Sequence, residues 1–143
     1  MILYLDTSAV VKLYADEAGS DQVRAGVAAA KICATHLIAY AETRAAFARK
    51  AQQPAYENRL QTWRKDFERD WPRFEIVGVT PDLVRRAGDL AEMHRLRAYD
   101  SVHLAAVEAL SRLGARLDFR FLVFDGDLAH AAEELGLGLY PIS

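Results

Sequence analysis

The spacing of apolar positions changes repeatedly along this chain, and each change predicts a different element. Ile2-Leu3-Tyr4-Leu5 is a short unbroken apolar run, the pattern of a parallel strand covered on both faces. Asp6-Thr7-Ser8 follows with helix-capping side chains, and residues 9–14 supply the helix. Residues 16–20 predict a turn, about 21–30 a second helix, and 31–35 a second strand. Residues 37–51 contain strong helix formers and no Gly or Pro. After Pro54, Tyr56, Leu60, Trp63, Phe67 and Trp71 recur at helical steps, giving an amphipathic 55–71 segment with an aromatic stripe. Joined near Pro54, these two helices predict a helical hairpin whose stripe faces the core, or alternatively a partner.

Phe74-Glu-Ile-Val-Gly-Val79 predicts a third strand. Thr80 then caps a helix that carries Pro81 at its first position and runs to about His94. Arg85, Arg86 and Arg95 read as its solvated face. Residues 96–99 link it to a helix opened by Asp100 and ending near Gly114. A strand at 121–124, a helix from Asp125-Gly-Asp127 to Leu135, a stop at Gly136 and a short strand within 138–142 complete the chain. Strands alternating with helices predict an α/β sandwich around a mostly parallel sheet. No repeat, low-complexity tract or linker divides residues 1–143, so a single domain is expected.

Composition narrows the class. With 143 residues the chain is long enough to bury a substantial core. No apolar run approaches the ~20 residues of a membrane helix, and the N-terminus lacks the basic leader of a signal peptide. The single cysteine, Cys33, excludes an internal disulfide and a multi-Cys zinc site, and it reads as a small core residue. A cytoplasmic protein without membrane association is expected. The net charge of −2 becomes +2 once four unusually placed acids are set aside, and 14 of the 18 basic residues are Arg. That balance permits a phosphate-rich substrate.

Those acids are Asp6, Glu42, Asp100 and Asp125. Asp6 and Asp125 each follow an apolar strand and precede a helix, where they would face the crevice beyond the carboxyl ends of a parallel sheet. Helix capping is the alternative role for both. Asp127 competes for that cap or joins the edge of the site. Glu42 lies inside its helix beside Ile38, Ala45, Ala46 and Arg49, and its alternative is a surface ion pair with Arg44 or Arg49. Asp100 heads the stripe Asp100, His103, Leu104, Val107, with dipole stabilisation at a helix start as its alternative. His103 is a candidate ligand or a partly buried hydrogen-bonding side chain. Four carboxylates at such places are the hard oxygen donors that Mg²⁺ or Mn²⁺ prefers. No His/Cys cluster, Gly-rich phosphate loop or Gly-x-Ser-x-Gly elbow competes with that reading.

The blocks around these acids, Leu5-Asp-Thr-Ser-Ala-Val-Val-Lys-Leu-Tyr14, Ala41-Glu-Thr-Arg-Ala-Ala-Phe-Ala-Arg49, Tyr99-Asp-Ser-Val-His-Leu-Ala105 and Val123-Phe-Asp-Gly-Asp-Leu128, resemble the PIN-domain family. They come in the family's order and spacing, and the match is close to VapC-type toxins of toxin–antitoxin pairs. The resemblance implies a three-layer α/β/α sandwich with a protruding helical hairpin. It also implies an Mg²⁺- or Mn²⁺-dependent endoribonuclease, dimeric and paired with a VapB-like antitoxin. The family's acids carry over onto Asp6, Glu42, Asp100 and Asp125, with Asp6, Asp100 and Asp125 as metal ligands and Glu42 orienting water. The auxiliary hydroxyl falls on Thr7 or Ser8. Products with a 5′-phosphate and a 3′-hydroxyl are implied. Val123 stands where the family's last motif usually has Thr, two residues before its Asp, so one hydroxyl is missing; Asp127 is a candidate substitute.

Arg44, Arg49 and Lys50, on or near the Glu42 helix, are candidate RNA contacts, with solvated helix charge as the alternative. Rival classes are an inert PIN-like interaction module and a receiver-like phosphoacceptor. The latter normally needs a Lys near its late strands, and this chain has none after Lys65. A structure-selective DNA nuclease is a further rival, although 143 residues leave little room for a DNA clamp.

Overall fold

The computed structural model describes residues 1–113 and 117–142. Four strands, β1 (Ile2–Leu5), β2 (Ile32–His36), β3 (Glu75–Val77) and β4 (Phe119–Leu122), form one parallel sheet in the order β3-β2-β1-β4. Seven α-helices surround it among the described residues: α1 (Thr7–Tyr14), α2 (Ser20–Ala29), α3 (Ala39–Lys50), α4 (Leu60–Asp70), α5 (Pro81–His94), α6 (Ala98–Leu113) and α7 (Gly126–Glu134). The architecture is the expected PIN-like α/β/α sandwich.

Alternation along β1 explains the apolar run at its heart. Leu3 and Leu5 enter a core with Val10, Phe47, Trp63 and Phe67, while Tyr4 enters the opposite core with Leu90, Leu104, Val107 and Phe121. All these side chains are almost completely excluded from solvent. Because both faces are covered, no polar residue interrupts the strand. Cys33 is only half-buried, on β2, and burial pushes its thiol pKa up.

The aromatic stripe belongs to the core. Trp63 and Phe67 pack against Phe47 at ring-centroid distances of 5.7 and 5.8 Å, which leaves little of the stripe for a partner. The expected 55–71 helix is broken, however. A 3-10 turn occupies Pro54–Tyr56, Asn58 takes φ 64°, α4 starts only at Leu60, and a second 3-10 turn follows at Trp71–Arg73. A left-handed residue cannot continue a right-handed helix.

Two further expectations shift. The last strand shrinks to one parallel bridge between Phe121 and Leu139. Arg86 does not lie on a solvated face: it makes two 2.8 Å bonds to the buried Glu108, tying α5 to α6. The expected stop at Gly114 lies outside the described residues.

The connectivity prepares the site. From β1 the chain moves outward to β2 and β3, then returns to place β4 on the other side of β1. Ligands of open parallel sheets bind at such a reversal, beyond the carboxyl ends of the strands. Asp6 leaves the end of β1, and Asp125 follows the end of the neighbouring β4.

Candidate active site

Asp6 and Asp125 are both helix caps. Oδ1 of Asp6 accepts the Ala9 N–H at 3.0 Å and the Ser8 hydroxyl at 2.9 Å; Oδ1 of Asp125 accepts the Leu128 N–H at 2.9 Å. Each cap uses only one carboxylate oxygen. Capping and ligand binding, opposed as alternatives in the sequence, are therefore compatible here, and the cap fixes the side chain that presents the second oxygen.

Asp100 lies in the first turn of α6. Burial raises its pKa, and the charge of Asp125 raises it further, with Glu42 adding to the effect. Burial also raises the pKa of Asp6, with Asp100 contributing in the same direction, while His103 and the cap bonds oppose it. The acids thus sense one another across the carboxyl edge of the sheet. Nε of Arg97 lies 3.5 Å from Asp100 Oδ2, and its guanidinium reaches to 3.8 Å from Asp125 Oδ2. A cation already sits beside two of the acids, and the donors present are carboxylate oxygens. This set fits a hard divalent ion.

Glu42 has neither Arg44 nor Arg49 as its partner, contrary to the surface-pair alternative. Its Oε1 accepts the Thr7 hydroxyl at 2.9 Å and lies 3.5 Å from His103 Nε2 and 3.6 Å from His36 Nε2. The fold turns it inward because the first turn of α3 faces the start of α1. The two hydroxyls divide the work: Ser8 serves Asp6, and Thr7 serves Glu42.

His36 is the residue that sequence reasoning missed. In the sequence it is only the end of a strand, and the one available signal is a lone His six positions before Glu42. It is fully buried, and burial together with His103 pushes its pKa down to about 3. Its Nδ1 accepts the N–H groups of Ile38 and Ala39 at 3.0 and 3.2 Å, satisfying two amides at the entry to α3. Its ring lies 4.0 Å from that of His103, centroid to centroid. His103 in turn receives the Thr7 N–H on Nε2 at 3.2 Å and pairs through Nδ1 with the Tyr4 hydroxyl at 2.9 Å.

His36, Glu42 and His103 bring three potential ligand atoms within 4.8 Å of one another. Proton bookkeeping argues against metal there. A nitrogen that accepts N–H bonds carries no proton, so neutral His36 is protonated on Nε2 and has no lone pair to offer at that atom. His103 Nε2 already accepts from Thr7. In this polar cluster Thr7 bonds both Glu42 and His103, while His36 touches them without a hydrogen bond.

Asp127 is exposed and lines a surface cavity with His94, His130 and Glu134. Val123 itself is buried in the core with Tyr4 and Phe121. Of the candidate RNA contacts, Arg44 lies over the Tyr40 ring and 3.5 Å from Glu68, and Lys50 pairs with Glu17. Arg49 is exposed, with no ion pair among the described residues. Arg97, which the sequence places in a mere link, is the cation that pairs with Asp100 and Asp125 among the described residues.

Residues 3–134 match the PIN domain family. The chain is 35% identical over 114 residues to ribonuclease VapC45 and to ribonuclease VapC49, from two strains of Mycobacterium tuberculosis, in each case covering 79% of both proteins. It belongs to the PIN domain family, among the VapC-type proteins. Among solved structures, one chain of FitAcB from Neisseria gonorrhoeae superposes with a TM-score of 0.69 at 17% identity, covering 99% of this chain and 97% of that one. A chain of VapBC2 from Rickettsia felis, bound to a DNA fragment from their promoter, gives 0.61 at 12% identity, covering 98% of both. A toxin–antitoxin complex from Klebsiella pneumoniae gives 0.59 at 19%, covering 89% and 90%.

Proposed function

We propose that this protein is a metal-dependent endoribonuclease, the toxin of a VapBC-type pair, which hydrolyses RNA phosphodiester bonds. The observation that carries the reading is the convergence of Asp6, Asp100 and Asp125 at the reversal of the sheet. There burial raises the pKa of both Asp6 and Asp100, with the charge of Asp125 adding to the shift of Asp100 and that of Asp100 adding to the shift of Asp6. Its VapC relatives are named ribonucleases.

Asp6, Asp100 and Asp125 would hold Mg²⁺ or Mn²⁺, which supplies a water of lowered pKa and offsets charge on the phosphoryl oxygens. The chain's own contribution is positioning. The caps on Asp6 and Asp125 restrict both carboxylates before any ligand arrives. Thr7 holds the Glu42 carboxylate, which accepts a proton from the attacking water. Arg97 leaves its loose contacts with Asp100 and Asp125 to meet a scissile phosphate, and Arg49 extends the cationic track along α3.

A VapB-like antitoxin with a cationic side chain would silence the protein by occupying the same negative site. A homodimer in the cytoplasm is the working assembly, by family resemblance. No described helix is long and apolar enough to cross a membrane.

The test is cleavage of a mixed RNA pool by antitoxin-free protein with Mg²⁺, Mn²⁺ or EDTA, beside Asp100→Asn. Cutting at defined sites that requires metal and disappears in the variant is expected. Equal cutting by the variant would sink the assignment of the acids. No cutting by folded protein in either metal would favour an inert interaction module.

A further inference from the structure

His36 contains an unspent donor. Its Nδ1 is occupied as an acceptor by Ile38 and Ala39, which leaves the proton on Nε2. That atom is sealed from solvent and has no hydrogen-bond partner. Buried N–H groups are rarely left unmade, so an orphan beside a candidate site calls for a functional explanation. The nearby acceptor is Oε1 of Glu42, 3.6 Å away and just beyond hydrogen-bond range. A shift of a few tenths of an ångström in Glu42 closes the gap. His36 itself has little freedom, held by two backbone amides on one edge and the His103 ring beside it.

We propose that His36 is a positioning residue for Glu42, its Nε2–H holding the carboxylate in the orientation that takes a proton from the attacking water. This rests on the reading of Glu42 given above. Three groups then surround that carboxylate: the Thr7 hydroxyl, the His36 N–H and the His103 ring. The donor is uncharged, because burial beside His103 disfavours the imidazolium. It orients Glu42 without cancelling the negative charge that makes it a base. Its direction is set by the backbone of α3, the helix that also carries Glu42. The turn after β2 thereby couples the start of that helix to the aim of its acid.

Two substitutions separate this role from helix capping. His36→Asn places an amide oxygen near the Nδ1 position, so the cap survives and the donor is lost. His36→Gln places an amide nitrogen near the Nε2 position, so the donor survives and the cap is lost. The experiment measures kcat, KM and melting temperature for the full chain and both variants, alone and combined with Glu42→Gln.

For His36→Asn, kcat is expected to fall by roughly 10- to 100-fold, a part of the ~10²–10⁴-fold that a well-positioned general base contributes. Its KM and melting temperature should stay near wild type. His36→Gln should recover most of kcat despite melting earlier, and His36→Asn should cost nothing further in the Glu42→Gln background. Wild-type kcat in His36→Asn, or kcat falling together with melting temperature in His36→Gln, would overturn the proposal. Full turnover by Glu42→Gln alone would instead overturn the reading of Glu42.

The contact is judged independently of activity by ¹⁵N–¹H NMR of the Mg²⁺-loaded protein. His36 should be protonated on Nε2, and that proton should move upfield in Glu42→Gln as a charge-assisted bond weakens. A proton on Nδ1, or a resonance indifferent to Glu42, would refute the contact.

Discussion

Nε of Arg97 stands 3.5 Å from Oδ2 of Asp100, although the Arg97 side chain is 85% exposed and free to leave. An exposed pair of this kind contributes little to stability. Its consequence is local, because it partly neutralises a carboxylate that is otherwise pressed by burial and by Asp125.

Arg97→Ala should therefore bind Mn²⁺ severalfold more tightly in the absence of RNA, measured by calorimetry at low salt. It should cleave RNA more slowly, because the cation beside Asp100 and Asp125 is gone. Unchanged affinity together with unchanged cleavage would leave Arg97 as an ordinary surface residue.

Asp100→Asn should raise the melting temperature of the metal-free protein at pH 7. The sign follows from its raised pKa: the ionised form is disfavoured in the fold, so removing the charge relieves strain at pH values above the folded pKa. Added Mg²⁺ should stabilise the wild type and have little effect on the variant. A lower melting temperature for the metal-free Asp100→Asn variant would contradict this electrostatic account.

His36 makes an opposite contribution at acid pH. Its pKa is about 3 in the fold against 6.5 as the ordinary value, so it contributes fully to stability above pH 6.5. As pH falls toward 3, the unfolded chain takes up a proton that the folded chain refuses, costing up to about 1.4 kcal/mol per pH unit. Urea denaturation between pH 7 and 5 should show a steeper loss for wild type than for His36→Asn. Asp6 and Asp100, with raised pKa values, act in the other direction in both proteins and leave the difference intact. Parallel pH profiles would contradict the burial effect.

Trp63→Ala should cost about 3–5 kcal/mol, the scale for emptying a large aromatic site in a packed core. Trp63→Phe should cost far less, since the indole N–H is buried without a hydrogen-bond partner and its loss removes an unsatisfied donor. Equal destabilisation by both variants would show that the indole makes a specific contribution that a phenyl ring of similar bulk does not replace.

Val123→Thr tests the departure from the family pattern. Val123 is 3% exposed among apolar side chains, so the added hydroxyl enters the core. The change should destabilise by about 1–3 kcal/mol, the cost of an unsatisfied buried polar group, without raising cleavage. A gain in cleavage would show instead that the missing hydroxyl limits the site.

The sequence by itself determined the order of strands and helices, the parallel sheet, and which acids stand at element ends. Those features are local: an apolar run covered on both faces, capping side chains ahead of α1, α5 and α7, a Pro opening α5. Its signal was weakest where a long-range partner decides. The aromatic period of 55–71 is helical throughout, yet Asn58 and the flanking 3-10 turns break it where the ring cluster closes on Phe47. Glu42 sits on a helix whose nearby bases are Arg44 and Arg49, but α3 turns it toward Thr7, 35 residues earlier in the chain. Only the tertiary structure could set His36 beside His103, 67 positions later, and choose its tautomer. Periodicity reports which face of an element is buried. What a buried polar atom touches is settled by strands and helices that meet from distant parts of the chain.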